Sequence, residues 1–368
     1  MFEDLTIQQK VGQLFFIGIA GTTVDDKAQA LLDKINPGGI CLFARNIKEA
    51  RQTRELVDAL RRRSKIELFL SLDQEGGLVD RLRRIITPMP AANLIPDSQT
   101  AGRFGAIVAE IVRILGLNMD FAPVVDVIDE KRETSNNGMF SRAFGRSAVE
   151  TAELAGAFLS ELQKGGCLGC VKHFPGLGAT QVDSHEELPT VNVDERELRS
   201  IDLAPYARLI ADGVVHSVMV AHAAYPNTGL QEQTADGKLL PSSLSKRVIT
   251  GLLREELGFD GLVITDDLEM GAIVKNFGVG EACVMAVEAG ADMLAICADE
   301  DRIVEGFESV LRAVESGRID ETMVSDSLTR IHAAKALLRE PVDFDTVRLA
   351  QLSDSIGRLK NEAGASRA

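Results

Sequence analysis

Cys167-Leu168-Gly169-Cys170-Val171-Lys172-His173-Phe174-Pro175-Gly176-Leu177-Gly178 is an apolar run that ends in a Lys-His pair and breaks into a loop of proline and glycine. An apolar segment this short, bounded by turn residues, reads as a strand buried on both faces. The loop after it is stiff at Pro175, where φ is fixed, and free at Gly176 and Gly178. Asp183-Ser184-His185 follows at once, so a cation, two imidazoles and a carboxylate gather near one strand end. That gathering predicts a catalytic loop.

The same pattern recurs in both directions along the chain. Apolar runs at 11–19, 38–43, 66–72, 117–124, 215–221, 261–265 and 292–297 join 167–173 to make eight predicted strands. Between them lie amphipathic stretches such as 48–63, 149–164, 243–257 and 303–316. Buried strands alternating with amphipathic helices predict parallel strands joined by crossover helices. Eight such units predict an α/β fold, a single-domain (β/α)8 TIM barrel. The barrel is expected over 1–340, with 341–368 as a C-terminal helical and polar tail. An open doubly wound sheet would want a glycine-rich phosphate turn after its first strand, and Gly18-Ile19-Ala20-Gly21-Thr22 is a poor substitute.

Composition narrows the function classes. With 368 residues, 45% hydrophobic and 26% charged, the chain is an ordinary globular protein. A net charge of -15 leaves no basic field for a nucleic acid backbone, so no nucleic acid partner is expected. The N-terminus, Met1-Phe2-Glu3-Asp4, is acidic where an export signal is basic, and residues 14–20 are too short to span a bilayer. A cytoplasmic protein with no membrane partner is expected. The five cysteines read as reduced core thiols; the Cys167/Cys170 pair also has the spacing of a redox motif, but it sits inside an apolar run, which favours core packing.

In a barrel, chemistry gathers where strands end. The third strand runs into Asp73-Gln74-Glu75-Gly76-Gly77, the fifth ends in Lys172-His173, the sixth in Ala221-His222 and the seventh in Thr265-Asp266-Asp267. Any one of these has a structural reading, as a helix cap or a satisfied core histidine. Four coinciding strand ends predict a polar rim.

These motifs, in this order, resemble the family 3 glycoside hydrolases of the short β-N-acetylglucosaminidase type. The likeness covers nearly the whole chain. It rests on Lys172 through Gly176 with Asp183-Ser184-His185, on Asp73 through Gly77, and on Leu252-Leu253-Arg254-Glu255-Glu256 running through Gly261 to Asp266. The resemblance implies that Asp266 is the nucleophile and that His185 with Asp183 forms an acid/base dyad. It further implies that Asp73, Arg81, Arg142, Lys172 and His173 hold the sugar. The substrate would be a terminal N-acetylglucosamine on peptidoglycan-derived muropeptide fragments, cleaved by a monomeric enzyme with no cofactor and no metal.

The residue types fit those roles. Retention needs an anion on one face of the sugar and a proton donor near the leaving oxygen. Asp266, at the end of a scaffold strand, suits the anion. A histidine with an unperturbed pKa near ~6.5 exchanges a proton around neutrality, and Asp183 can orient it. The same Asp-Ser-His can also be a solvated turn, and each arginine a surface ion pair. Leu78 and Leu177 stand where relatives often carry arginine and histidine, Glu269 stands where a small residue is usual, and 126–141 departs from the family approach to Arg142. Glu269 is expected to crowd or recharge the surroundings of Asp266. Three other readings remain: a phosphorylase with the same residues, a sugar-binding protein without turnover, and a metal-dependent barrel hydrolase, which would want His-x-His on a first strand that has no histidine.

Overall fold

The computed structural model describes residues 5–133, 138–180 and 188–365. Nine parallel strands form one sheet: β1 (Phe15–Ile17), β2 (Gly39–Leu42), β3 (Phe69–Leu72), β6 (Met119–Asp120), β7 (Leu168–Gly169), β8 (Val171–Phe174), β9 (Ser217–Val220), β10 (Leu262–Asp267) and β11 (Met293–Ile296). Two more, β4 (Gln74–Gly76) and β5 (Val79–Asp80), make a separate antiparallel hairpin. The sheet order is β7-β6-β3-β2-β1-β11-β10-β9-β8. Only Cys170 separates β7 from β8, so the ends of the sheet are neighbours in the chain and the sheet curls into a nearly closed barrel. The α/β barrel expected from the strand-helix alternation is therefore the fold.

The nine strands account for the eight predicted ones, and the differences have local causes. Residues 7–12 are a helix rather than the start of the first strand. Thr6 and Gln9 form a reciprocal capping box, with Gln9 N–H donating to Thr6 Oγ1 at 3.3 Å and Thr6 N–H to Gln9 Oε1 at 3.0 Å. In 117–124 the ladder stops early because Pro123 has no N–H to donate; pairing resumes as a bridge between Val124 and Lys172. The 167–173 run is split at Cys170, whose N–H turns to the carbonyls of Asp120 and Ala122.

Helices cover the outside of the barrel, among them Ala50–Arg63, Ala148–Lys164, Arg247–Glu256 and Glu300–Glu315. Inside, Phe16 packs against Phe69 and Phe121 at ring separations of 5.9 and 5.2 Å. The last helix, Thr346–Ala365, buries Leu349, Leu352, Ile356 and Leu359 at a spacing of three and four, and packs on helix Ser98–Ile114. Arg348 on it pairs with Glu110, Nη2 to Oε2 2.8 Å. Residues 361–365 continue this docked helix. Among the described residues no helix is long and apolar enough to cross a membrane.

The hairpin β4–β5 has no counterpart among the predicted strands, and it matters for the site. Gly76 has φ +90°, and a Cβ there would lie 2.2 Å from the Pro90 carbonyl oxygen, so only glycine allows the chain to turn back at this point. The turn carries Glu75 and Arg81 over the C-terminal mouth of the barrel.

Candidate active site

The C-terminal ends of the strands surround a cavity of about 410 Å³. Asp73, Arg81, Arg142, Lys172, His173 and Asp266 all line it, so six of the sequence-predicted site residues come together from distant parts of the chain. Asp183 and His185 lie outside the described residues. A second cavity, of about 300 Å³, opens beside Asn36, Pro37 and Leu68 at the opposite ends of the strands.

Lys172 is the hub. Its Nζ is 2.8 Å from Asp73 Oδ1 and 2.7 Å from Glu75 Oε1, and its side chain is only 2% exposed. Burial pushes the Lys172 pKa down, but the two carboxylates more than offset this and hold the ammonium charged. Glu75 accepts a two-point pair from Arg142, 2.7 Å to Nε and 2.9 Å to Nη2. Burial would raise the Glu75 pKa, yet Arg142 and Lys172 bring it well below the usual carboxylate range. Asp73 also accepts from Arg81 Nη2 at 3.2 Å. Here too burial is outweighed, by Lys172 and Arg81, and the pKa is lowered. The result is a rigid lattice of alternating charge. Asp73, at 15% side-chain exposure, and Arg142, at 20%, keep polar edges open to the cavity.

His173 completes this wall. Its Nε2 lies 3.3 Å from Arg142 Nη2 and its Nδ1 lies 2.9 Å from Asp126 Oδ2. A guanidinium only donates, so Nε2 accepts and Nδ1–H donates to Asp126. The other Asp126 oxygen receives Leu177 N–H at 2.6 Å, which ties the wall to the loop after β8. Gly176 in that loop has φ +133°, and a Cβ there would meet the Asp202 Cβ at 2.6 Å. Asp202 is in turn clamped by Arg132, Nη1 to Oδ1 2.7 Å and Nη2 to Oδ2 3.0 Å.

Asp266 reaches the cavity from β10, half-buried, with Oδ1 accepting the Asp267 amide at 2.8 Å. Burial would raise its pKa; the His173 and His222 imidazoles, the Asp267 amide and the Lys172 ammonium outweigh that and lower it, keeping the carboxylate anionic. Burial pushes the neighbouring Asp267 up to about 7.

Glu269 does not crowd Asp266 as its sequence position suggested. Its carboxylate turns away to accept the amides of Cys297 at 2.9 Å, Ala298, and Asp299 at 3.0 Å. These amides lie just before helix Glu300–Glu315, whose N-terminal dipole favours an anion. Leu177 is nearly buried in the cavity wall.

Two participants were missed from the sequence. Glu75 lay within a quoted motif, two residues from Asp73, a spacing that in extended chain puts both side chains on one face. Asp126 lay in a segment read as divergent, and no spacing rule links it to His173. The paired cysteines behave as expected: Cys167 and Cys170 are buried and unbonded.

A (β/α)8 barrel with carboxylates, cations and an imidazole converging at the C-terminal mouth has the build of a barrel hydrolase. The sequence pattern of the Glycosyl hydrolase family 3 N terminal domain matches residues 6–334, and the chain belongs to this family of glycoside hydrolases. A "Beta-hexosaminidase" of Pseudomonas aeruginosa is 37% identical over 287 residues, covering 77% of this chain and 82% of that protein. The "Beta-hexosaminidase A" of Pseudoalteromonas piscicida is 30% identical over 341 residues, 87% of this chain, which spans only 56% of that relative's length. Among solved structures, a family 3 β-N-acetylglucosaminidase from Paenibacillus superposes with a TM-score of 0.86 at 36% identity, covering 96% of this chain and 69% of the other.

Proposed function

We propose that this protein is an exo-acting, retaining β-N-acetylglucosaminidase that removes terminal N-acetylglucosamine from peptidoglycan-derived fragments. One observation carries the reading: the anionic Asp266 carboxylate shares a cavity with the Asp73, Arg81, Arg142 and Lys172 lattice. A pyranose presents several hydroxyls in fixed directions, and Asp73 and Arg142 offer an acceptor and a donor whose positions are set by buried partners.

In the first step Asp266 attacks the anomeric carbon, a carbon–oxygen bond to the carboxylate forms, and the glycosidic bond breaks as protonated His185 gives its proton to the leaving oxygen. In the second step neutral His185 takes a proton from water, the water oxygen bonds to the anomeric carbon, and Asp266 is released. Asp183 orients the imidazole throughout. His173, fixed by Asp126 as the Nδ1–H tautomer, belongs to the sugar-holding wall.

The preference for the N-acetyl sugar draws on the names of the relatives. Water rather than phosphate as acceptor is supported by the lining, where the carboxylates of Asp73, Glu75, Asp266 and Asp267 stand beside Arg81, Arg142 and Lys172, an unfavourable field for an incoming anion. A reducing cellular compartment is supported by five unbonded, buried cysteines. The test is hydrolysis of 4-nitrophenyl N-acetyl-β-D-glucosaminide beside the matching glucoside, with proton NMR of the first sugar released. The N-acetyl substrate is turned over far faster, and the β-anomer appears first. Initial release of the α-anomer, or equal turnover of both substrates, contradicts the proposal.

A further inference from the structure

Asp266 sits at an irregularity in β10. Towards β9 the pairing is regular, from Leu262 with Ser217 to Thr265 with Val220. Towards β11, Ile264 pairs with Met293 and Asp267 with Ala295, so β10 advances three residues while β11 advances two. This is a β-bulge, a device that re-aims a side chain by inserting one residue into a strand. Its ladder is patched on the β11 side by a side chain, Thr265 Oγ1 accepting the Ala295 amide at 3.0 Å.

A bulge is also a weak point, since its backbone lacks regular pairing. Here the Asp267–Leu268 peptide is held at both ends. Its N–H donates to the Ala295 carbonyl at 2.8 Å, and its C=O lies 3.0 Å from His222 Nε2. A carbonyl only accepts, so Nε2 carries the proton. The other ring nitrogen, Nδ1, lies 2.6 Å from Ser243 Oγ, whose hydroxyl donates to it. Ser243 is fixed in turn, its own N–H donating to the Ala221 carbonyl at 3.1 Å. His222 is fully buried, and burial lowers its pKa, so the imidazole stays neutral.

Resting on the reading of Asp266 as nucleophile, we propose that His222 is a positioning residue for it: the Ser243–His222 relay locks the peptide after the bulge, and the Asp267 amide then holds the Asp266 carboxylate facing the cavity. Rotation of the Asp267–Leu268 peptide would change the Asp267 dihedrals and move the amide that grips Asp266 Oδ1. His222 touches neither sugar nor water in this account; it acts through Asp266.

The test separates positioning from general damage. His222→Ala lowers kcat by about tenfold or more, the scale on which small misplacements of a reacting group act, while KM and inhibition by free N-acetylglucosamine stay within about twofold because the sugar-holding lattice is untouched. His222→Gln, which restores an N–H donor near the Nε2 position, recovers most of the loss. In an Asp266→Gly background, azide attacks the anomeric carbon in place of the carboxylate, forming a carbon–nitrogen bond as the glycosidic bond breaks. If His222 works through Asp266 alone, adding His222→Ala to that background leaves the azide-supported rate unchanged. A parallel fall of the azide-supported rate, or an unchanged kcat in His222→Ala, overturns the proposal. Failure of azide to rescue Asp266→Gly is a different result, and counts against Asp266 as nucleophile.

Discussion

Glu75 and Arg142 form a two-point ion pair, 2.7 and 2.9 Å, with the Glu75 side chain 2% exposed. The pair joins the β4–β5 hairpin to a residue 67 positions away and sets one wall of the cavity. Removing one partner from a buried pair costs about 3–5 kcal/mol, because the remaining charge loses its compensation. Glu75→Gln therefore lowers stability measurably in urea unfolding and raises KM about tenfold or more, as Arg142 and Lys172 lose a shared anchor. Unchanged KM would show that the wall does not contact the sugar.

His185→Ala separates proton donation from nucleophilic attack. A 2,4-dinitrophenyl leaving group departs without a proton, whereas an alkyl or sugar leaving group does not. The variant loses about 10²–10⁴-fold on poor leaving groups and far less on dinitrophenyl substrates. Equal losses across leaving groups would remove His185 from the acid role.

Glu269 has a structural task at the Cys297–Asp299 amides. Glu269→Ala removes the acceptor from the part-buried Cys297 amide and from the exposed Ala298 and Asp299 amides, a loss of about 1 kcal/mol in unfolding free energy. Turnover of an aryl substrate by the folded variant stays within a few-fold of the parent. A collapse of kcat at unchanged stability would return Glu269 to the reaction.

Lys335, at the other end of the barrel, donates to Gln13 Oε1 at 2.9 Å and lies over the Phe69 ring. Burial pushes its pKa from 10.5 down to about 7. Between those values the unfolded chain binds a proton that the folded chain does not, so this group makes stability rise with pH. Below about pH 7 both states are protonated and the cost of burying the charge is felt in full. Lys335→Met removes the titration, so its stability relative to the parent is highest below pH 7 and declines towards pH 10. A pH-independent difference in urea unfolding contradicts this.

Much of the site was legible because barrel chemistry lies at strand ends. Asp73, Lys172, His173, His222 and Asp266 each follow an apolar run, and their types alone mark them as out of place in a core. Arg81 and Arg142 came through the family likeness. Asp126 escaped notice because its role lies in a partner 47 residues away. The hairpin that carries Glu75 escaped because strands of three and two residues leave no periodic signal. Crowding by Glu269 was misread for a similar reason: the amides that hold its carboxylate come from the loop after β11, distant in sequence. The bulge at Asp266 is a register shift between strands, which one strand's sequence does not encode.

The central claim is that Asp266 becomes covalently bonded to the sugar. Incubation with a slow fluorinated N-acetylglucosaminyl substrate, followed by proteolysis and mass spectrometry of the trapped enzyme, tests it most directly. The account predicts a single sugar adduct on Asp266. An adduct on another residue, such as Asp267 or Asp73, would contradict it.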